Sequence, residues 1–432
     1  MNDRLLREHG RFFLLLIVFI AGSLVHARSL AAMEGSDEPL HFNYALHLYT
    51  HNQLPDRDTY RTNSTRQASG QPPLAYWITA QILRLIDAPH FDGDAVWTHT
   101  QVTVRNRWYW PHDPVRRGDN QNVYLHGRDE IAFAWPELVA ALRAARIVSV
   151  GFGVLTVIGL YGAAREVFEQ QSWALTATAI GALLPTMLHL SSYVTNDSAA
   201  VAFASLATWQ TLALLKRGST VWRWLLIGAL LGLAGLAKIN ALLIAPGVGV
   251  ALLIDWRAHG GRLPRLLRDG LLIGLPLTVI LGPWLLWGLV NYGDPLGINT
   301  HQHADAWLFA ADPQPLRATL AQLPHLYTSY WAQLATVPLT TATYAVFTLI
   351  AGLALLGYGV GIRRIDWRAQ GWQIALVLGV IALGAFAGMF RWMQQLAFTG
   401  GRLLYPAHVA IMIGVVGGLV LLGRRFPRWD RR

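Results

Sequence analysis

Apolar residues in this chain are grouped in long blocks, and polar segments separate one block from the next. A helix needs about 20 consecutive apolar residues to cross a bilayer core, and most of the blocks reach or approach that length. The pattern therefore predicts an all-α polytopic membrane protein that forms a single integral membrane domain over residues 1–432. We expect about ten membrane-spanning helices, at residues 12–30, 144–163, 173–191, 198–215, 222–237, 239–254, 270–290, 337–360, 371–390 and 403–422.

The apolar block at residues 222–254 allows two interpretations. One helix over its 33 residues would be about 50 Å long, which exceeds a bilayer core of about 30 Å, whereas two spans would each be short. Two spans place the arginine cluster at 257–268 on the same side as the N-terminus, and one span places it on the opposite side. Because basic residues collect on one side of a membrane protein, we expect two spans with Lys238 between them.

The arginines divide the loops into two classes. The short loops on the side away from the N-terminus hold only four basic residues. Since basic residues mark cytoplasmic loops, we expect both termini in the cytoplasm of a bacterium, the protein in the inner membrane and the long first loop in the periplasm. The basic residues on the N-terminal side are at 4–11, 165, 216–223, 257–268, 363–368 and 424–432.

Composition agrees with this topology. The chain is 53% hydrophobic and only 14% charged, with a mean hydropathy of +0.33, whereas roughly a quarter of the residues in a soluble domain are charged. The formal net charge of +10 would suggest a nucleic acid partner in a soluble protein. Here the arginines are explained by the membrane, so we expect membrane lipid and no nucleic acid as a partner. Cysteine is absent, which excludes thiol chemistry and disulfides.

The long outer loop, residues 33–142, contains two candidate juxtamembrane helices. Leu40, Tyr44 and Leu48 are spaced at i, i+4 and i+8, which predicts a short amphipathic helix on the membrane surface. "QPPLAYWITAQILRLI" after residue 70 predicts a second such helix, which is too short to span. A polar insertion at 88–136 is rich in Trp, His, Tyr and Arg. It suits sugar and phosphate binding and equally suits a lid on lipid headgroups.

The predicted topology places the distinctive polar motifs on one face of the membrane, whereas the cytoplasmic loops hold mainly arginine. We therefore expect a site that acts on something outside or delivered to the outer leaflet. The motifs are "SDEPLHF" (36–42), "SGQPPLAYW" (69–77), "YVTNDS" (193–198), "AKIN" (237–240), "NYGDPLG" (291–297) and "FTGGRLLYP" (398–406).

Taken in order, several motifs resemble the GT-C superfamily of membrane glycosyltransferases, which includes the protein O-mannosyltransferases and the aminoarabinose transferase of lipid A. The later "PWLLWGLVNYGDPLG" and "GGRLLYPA" are closer still to an uncharacterised bacterial branch of polytopic proteins. The insertion at 88–136 departs from the family pattern and leaves the acceptor open. The motifs that carry the resemblance are "SDEPLHF", "PPLAYW", "RIVSVGFGVLTVIGLYGAAREVF", "TNDS" and "GLAGLAKINALLIAP".

The resemblance implies that a sugar arrives on a polyprenyl phosphate whose headgroup lies at the outer leaflet. It also implies that an acid of the first outer loop is the general base or orients the acceptor. In this sequence that acid is Asp37, with Glu38 beside it.

The residues themselves suit this chemistry. Transfer from a phosphate-linked sugar needs a base for the acceptor hydroxyl and cations for the leaving phosphate. Two adjacent acids repel each other, so we expect a raised pKa for at least one of Asp37 and Glu38. A divalent cation shared by the two acids is an alternative, as is a role for both in capping the following helix. Glu34 is expected to be a bystander.

Basic and polar residues of the same face complete the candidate substrate-binding set. Lys238 and Arg402 are the candidate cations for the lipid phosphate, and the lack of side chains at Gly400-Gly401 would let a phosphate approach closely. Candidates for contacts with the sugar or the acids are Asn196, Asp197, Gln71, His41 and Tyr405. Structural alternatives are snorkelling of Lys238, a flexible turn at Arg402, a polar turn at 196–197 and a packing role for His41.

The leading hypothesis is a membrane glycosyltransferase of the cell envelope. It would transfer a hexosyl or pentosyl group from a polyprenyl-phosphate donor to a glycan, lipid or protein acceptor. A transporter or flippase of lipid-linked sugars would place ionisable groups along a path in mid-span, but most charges here are at span ends. A polysaccharide polymerase or ligase would need essential residues in the late loop at 291–336, which has few acids. In a non-enzymatic scaffold, the acid pair would be dispensable.

Overall fold

The structure is a computed structural model, which describes residues 3–60, 62–89, 122–124, 126, 137–304, 306, 309, 312–335, 337–361, 371–396 and 400–423. The first half contains α1 (Asp3–Ser29), α2 (Glu38–His51), α3 (Leu74–Leu85), α4 (Glu137–Val167), α5 (Gln171–Ala182), α6 (Pro185–Leu190) and α7 (Asp197–Arg217). The second half contains α8 (Val221–Ala237), α9 (Ala245–Ala258), α10 (Leu263–Tyr292), α11 (Ile298–Ala304), α12 (Leu316–Ala321), α13 (Leu323–Trp331), α14 (Thr341–Gly361), α15 (Gly371–Met393) and α16 (His408–Gly423).

Short elements connect these helices. The 3-10 turns are Arg66–Gly70, Ile239–Ile244 and Gly401–Ala407, and the last two lead directly into α9 and α16. One small antiparallel pair joins β1 (Gln333–Leu334) to β2 (Val337–Pro338). The predicted all-α polytopic class is thus confirmed.

Eight helices of the described part of the chain are long and apolar enough to cross a membrane, and each corresponds to one predicted span. The other two predicted spans are not single helices of spanning length in the structure. Residues 173–191 form two short helices, α5 and α6, because Pro185 at the start of α6 supplies no amide hydrogen to continue α5. Residues 222–237 form α8, an apolar helix below the spanning length. The eight apolar helices indicate an integral membrane protein.

The region where one or two spans were possible is divided into two helices. After α8, Lys238 has an extended backbone with φ −159° and ψ 128°, and a 3-10 turn follows before α9. Lys238 Nζ contacts Asp197 Oδ1 at 2.6 Å, at the first residue of α7. Arg265 Nη2 contacts Ser219 Oγ at 3.0 Å, beyond the other end of α7. The predicted break between two helices at Lys238 is therefore confirmed, and the number of membrane crossings in this region stays a prediction.

Small residues set the closest helix contacts, as is usual where bilayer helices pack. A Cβ added to Gly357 of α14 would lie 1.8 Å from the carbonyl oxygen of Gly418 in α16. A Cβ on Gly159 of α4 would lie 2.9 Å from the backbone of Ser205 in α7. The α4–α7 pair forms the centre of the bundle, and the end of this pair supports the polar segments of the first loop.

A buried ion pair joins α1, the first loop and α4. Arg146 of α4 and Glu38 of α2 are both fully buried. Arg146 donates from Nε to Glu38 Oε1 at 2.8 Å and from Nη2 to Glu38 Oε2 at 2.7 Å. Its other donors bind the carbonyl oxygens of Ala27 at 2.9 Å, Leu30 at 2.6 Å and Ala31 at 2.9 Å. All five guanidinium N–H groups are used, and the free carbonyls at the end of α1 are satisfied.

The helix α2 is enclosed by protein rather than lying on the membrane surface with one apolar stripe, as the spacing of its leucines suggested. Phe42, Tyr44 and Leu46 lie on different sides of the helix, yet each is at most 1% exposed. Residues of α3, of the 66–70 turn and of the segment 122–124 pack in the same cluster. Periodicity missed this burial because the covering elements are distant in sequence.

Glu34, expected to be a bystander in the chemistry, has a structural role. Its buried carboxylate accepts hydrogen bonds from the backbone N–H of Val123 at 2.8 Å, from that of Tyr124 at 2.9 Å and from His126 Nε2 at 2.9 Å. It thereby fixes one end of the predicted insertion beside the first loop. Apart from residues 88, 89, 122–124 and 126, the insertion lies outside the described residues.

Glu38→Gln tests the ion pair. The amide would leave the Arg146 charge buried without a counter-charge, and breaking such a pair typically costs about 3–5 kcal/mol. We expect a clearly lower thermal unfolding temperature for the detergent-purified variant. Glu169→Gln, at an exposed position just after α4, is the matched control and should unfold with the wild type. Equal unfolding temperatures for all three proteins would show that the pair contributes little.

Candidate active site

The polar motifs of the predicted outer face do meet at one end of the helix bundle. The loop before α3 packs on the loop after α10 so closely that a Cβ on Gly297 would lie 1.7 Å from the carbonyl oxygen of Gly70. Gly297 also has a φ of +69°, which glycine adopts without strain. Asn196 Nδ2 donates to Gln71 Oε1 at 2.7 Å, which joins the start of α7 to the same loop. The prediction that these segments share a face is confirmed by their contacts.

Asp37 lies at the edge of this region. It has a left-handed backbone, with φ 58° and ψ 14°, immediately before α2, and its side chain makes no capping hydrogen bond. The alternative that Asp37 only caps the helix is therefore wrong. Its Oδ2 lies 2.5 Å from Arg402 Nη2, while 46% of the side chain remains exposed. A non-glycine residue in this backbone region is strained, and such strain clusters at functional sites.

Two acids and two cations form one contiguous cluster, which we call the charge cluster: Asp37, Asp197, Lys238 and Arg402. Lys238 Nζ contacts Asp197 Oδ1 at 2.6 Å, and Arg402 Nε lies 3.7 Å from Asp197 Oδ2. Arg402 Nη1 also donates to Tyr193 Oη at 3.3 Å. Lys238 and Arg402 keep 20% and 24% of their side chains exposed, so an anion can reach both.

Gly401, before Arg402, has a packing role that the sequence did not predict. A Cβ on Gly401 would lie 2.3 Å from the backbone nitrogen of Tyr330. The missing side chain therefore lets the 3-10 turn pack against α13, and this packing fixes the position of Arg402. At Gly400 a Cβ would meet only the side chain of Arg402, at 3.8 Å.

The expected repulsion between Asp37 and Glu38 does not occur. Glu38 points away from the charge cluster, and its two oxygens also accept from the backbone N–H of Val194 at 3.0 Å and of Gly35 at 3.3 Å. Partial desolvation of the half-exposed Asp37 carboxylate opposes its ionisation, but the positive charge of Arg402, with His41 and Lys238 beside it, lowers the pKa of Asp37 to about 2. The expectation of a raised pKa at this position is wrong.

A divalent cation shared by Asp37 and Glu38 does not fit this arrangement, because Arg146 and two backbone N–H groups occupy the Glu38 carboxylate. Within the described ranges, no group of three His, Cys, Asp or Glu side chains is placed to hold a metal ion.

A chain of hydrogen bonds fixes the proton on His41. Gln71 Oε1 accepts from Tyr76 Oη at 2.7 Å and from Asn196 Nδ2 at 2.7 Å. Tyr76 gives its only proton to Gln71, so His41 Nδ1, at 2.7 Å from Tyr76 Oη, must be the donor. Burial lowers the pKa of His41 to about 4, although Asp37 opposes this. The neutral ring therefore carries its lone pair on Nε2.

His41 lies one helical turn after Asp37, since its backbone N–H bonds the Asp37 carbonyl at 3.1 Å. The charges of Asp37 and of the other members of the charge cluster act on His41, which places its ring beside the cluster. Unlike Asp37, His41 is buried, with 3% exposed. The hydrogen-bond acceptor at Nε2 thus lies deeper in the same site than the Asp37 carboxylate.

Two buried acceptors at the start of α7 have no hydrogen-bond partner. They are Asn196 Oδ1 and Asp197 Oδ2, on residues that are at most 3% exposed. Asp197 Oδ2 has the longer ion-pair contact with Arg402 Nε, at 3.7 Å. Buried polar atoms are nearly always paired. Their position beside Lys238 and Gln71 makes them candidates for contact with hydroxyl groups of a ligand.

Tyr405 is not brought to the charge cluster. It is fully buried, donates from Oη to the Tyr330 carbonyl at 2.8 Å and stacks on His408 with ring centroids 4.7 Å apart. These contacts hold the 3-10 turn against α13.

Sequence reasoning missed four residues of this region: Arg146, Tyr76, Tyr193 and His301. An arginine within an apolar span is costly and is therefore functional or paired. The position of Arg146 inside an apolar block of the sequence thus already indicated such a residue. Burial lowers the pKa of His301 to about 4, and the charges of Asp37 and Lys238 also act on it, which places α11 near the cluster. No local pattern distinguished Tyr76, Tyr193 or His301 from other aromatic residues.

Comparison by sequence gives one family. The profile of the dolichyl-phosphate-mannose-protein mannosyltransferase family matches residues 138–287, less than half of the chain. The matched part includes Arg146, Asn196, Asp197 and Lys238 but neither Asp37 nor Arg402. No curated protein sequence matches the chain.

Comparison by structure extends over the whole chain. ArnT from Cupriavidus metallidurans bound to undecaprenyl phosphate superposes with a TM-score of 0.58 and 16% identity, over 98% of this chain and 62% of ArnT. The oligosaccharyltransferase AglB from Archaeoglobus fulgidus, in complex with an inhibitory peptide and a dolichol-phosphate, superposes with a TM-score of 0.50 and 14% identity, over 99% of this chain and 52% of AglB. The chain thus spans less than two thirds of either neighbour, and the similarity confirms the GT-C resemblance at the level of the fold.

The proton on His41 can be observed directly. We expect ¹⁵N spectra of histidine-labelled protein to show His41 protonated on Nδ1 and unprotonated on Nε2 from about pH 6 to about pH 8. The signals are assigned by their loss in His41→Gln, and His47→Gln in the same helix is the control. Tyr76→Phe should remove the preference for Nδ1. A proton on Nε2 in the wild type would contradict the hydrogen-bond chain.

Proposed function

We propose that this chain, which has the GT-C fold, is a membrane glycosyltransferase that moves a sugar from a polyprenyl-phosphate donor to an acceptor hydroxyl. The observation that carries the proposal is the charge cluster. It combines two accessible cations with a half-exposed carboxylate at one end of an apolar helix bundle. A lipid phosphate needs this combination of a polar headgroup site and an adjoining apolar surface.

The lipid phosphate is assigned to Lys238 and Arg402. Arginine binds phosphate oxygens in a bidentate manner, and lysine adds a point charge. Both would stabilise the charge that develops on the leaving phosphate. Complexes of ArnT with undecaprenyl phosphate and of AglB with a dolichol-phosphate support a polyprenyl phosphate as the ligand class.

Asp37 is assigned as the general base. In the proposed step, the acceptor O–H gives its proton to the Asp37 carboxylate, and the acceptor oxygen forms a bond to the anomeric carbon. The bond from that carbon to the phosphate oxygen breaks, and its electron pair stays on the phosphate. Asp37 is the only carboxylate of the charge cluster that is substantially exposed, at 46% against 5% for Asp197.

Glu38 is assigned a positioning role in place of direct catalysis. It follows Asp37 in the chain, and its ion pair with Arg146 fixes the first turn of α2. Asn196, Asp197, Gln71 and His41 are assigned to the sugar or acceptor hydroxyls through their free acceptor atoms and the Gln71 amide. We place this end of the bundle outside the inner membrane, with both termini in the cytoplasm, on the basis of the arginine distribution.

Removal of the base tests the reaction. We expect Asp37→Asn to lower transfer by about 10²–10⁴-fold, the usual contribution of a general base. Turnover would be measured in proteoliposomes with a panel of labelled undecaprenyl-phosphate hexoses and pentoses. Asp58→Asn removes an exposed carboxylate from the same loop and should leave turnover unchanged. Wild-type rates in Asp37→Asn would rule out the assigned base.

The two lysines of the chain offer a matched test of phosphate binding. Lys238 lies in the charge cluster, where it contacts Asp197 at the start of α7. Lys216 is exposed in the last turn of the same helix. We expect Lys238→Met to weaken binding of undecaprenyl phosphate by about 10–100-fold, because a hydrogen bond to a charged group is lost. Lys216→Met should bind like the wild type. Equal affinities of all three proteins would exclude Lys238 from the phosphate site.

A further inference from the structure

We propose that the donor phosphate itself frees the catalytic base, by taking Arg402 away from Asp37. Before the donor binds, Arg402 holds Asp37 as an ion pair. When the phosphate binds, Arg402 exchanges one anionic partner for another, and Asp37 becomes available to the acceptor hydroxyl. This inference rests on the proposed function and adds a step in which binding of one substrate prepares the site for the other.

The charge cluster is neutral as a whole, and this makes a competition unavoidable. It contains two carboxylates and two cations, joined at 2.5 Å, 2.6 Å and 3.7 Å. A phosphodiester brings a further negative charge, so three anions would share two cations. At least one of the existing contacts must then break or lengthen.

The geometry of Arg402 shows where the competition falls. A guanidinium binds phosphate bidentately through either of two edges, Nε with Nη2 or Nη1 with Nη2. Nη2, which contacts Asp37, belongs to both edges. Nε faces Asp197 at 3.7 Å, and Nη1 donates to Tyr193 at 3.3 Å. Nη2 carries one N–H on each edge, so a phosphate bound at either edge shares Nη2 with Asp37, and the two anions compete for that nitrogen.

Burial decides which acid loses its partner. Asp197 is 5% exposed and is also held by Lys238, so removing its cations would leave a buried, uncompensated charge, which is costly. Asp37 is 46% exposed, so water can replace Arg402 around its carboxylate. Loss of the Arg402 contact therefore costs less free energy at Asp37 than at Asp197.

The exchange changes the strength of the base in the required direction. While Arg402 is paired with it, Asp37 is held at a pKa of about 2 and is a weak base. Loss of that cation raises the pKa of Asp37 toward the ordinary value of about 3.9. The titratable and charged groups that act on Asp37 or share its cluster are Arg402, Lys238, His41, Asp197, Tyr193 and His301.

A double-mutant cycle on binding tests the exchange without any sugar transfer. The affinity for undecaprenyl phosphate would be measured in wild type, Asp37→Asn, Arg402→Gln and the double variant, at about 0.15 M salt to screen surface charges. We expect Asp37→Asn to bind about tenfold more tightly than wild type, because the phosphate no longer competes for Arg402. In the Arg402→Gln background, the same change should alter affinity less than about twofold.

The outcomes separate this inference from the proposed function. A tenfold gain that persists in the Arg402→Gln background would indicate simple repulsion by Asp37 and would overturn the exchange alone. Absence of any binding by the wild type would overturn both proposals. Asp58→Asn is the control and should bind like the wild type.

A second measurement uses the wild-type chain and avoids the risk that Arg402→Gln does not fold. The carboxyl carbon of Asp37 would be followed by ¹³C NMR as a function of pH, with its signal assigned by loss in Asp37→Asn. We expect the titration of Asp37 to move to higher pH when undecaprenyl phosphate is added. An unchanged titration in the saturated complex would contradict the exchange.

Discussion

The structure depends on one buried ion pair, between Arg146 and Glu38. Arg146 uses all five of its N–H groups to bind Glu38 and the last carbonyls of α1. A charge in an apolar span is tolerated only when it is paired in this way. The consequence reaches the surface of the bundle, because Glu38 begins α2 and the preceding residue, Asp37, is thereby held in a strained left-handed conformation. The ion pair thus fixes the position of the carboxylate that is proposed to act on the acceptor.

Around that carboxylate, four elements each contribute one charged residue from the end of a helix. Asp197 begins α7, Lys238 follows α8, and Arg402 lies in the turn before α16. The cluster stays neutral until an anion arrives, and the exposed carboxylate is the member that an anion displaces most easily. A site arranged in this way keeps its base weak in the absence of the donor and strengthens it in the donor complex.

Much of this architecture could be predicted from the sequence, because hydrophobic block length and arginine distribution are local signals. They predicted eight helices that are long and apolar enough to cross a membrane, the helix break at Lys238 and the end of the bundle at which the polar motifs meet. Contacts between distant segments could not be predicted. The spacing of residues along α2 carried no information about the elements that cover its other faces. Adjacency of Asp37 and Glu38 suggested a carboxylate pair. However, Glu38 is buried and bound to Arg146, which lies more than a hundred residues away in the sequence.

The central claim is that the charge cluster binds a lipid phosphate, and a cryo-EM structure of the protein with undecaprenyl phosphate tests it most directly. The account predicts phosphate oxygens within about 3 Å of Lys238 Nζ and the Arg402 guanidinium, with Asp37 separated from Arg402. A phosphate bound at the opposite end of the bundle, beside Arg217 and Arg265, would contradict the account.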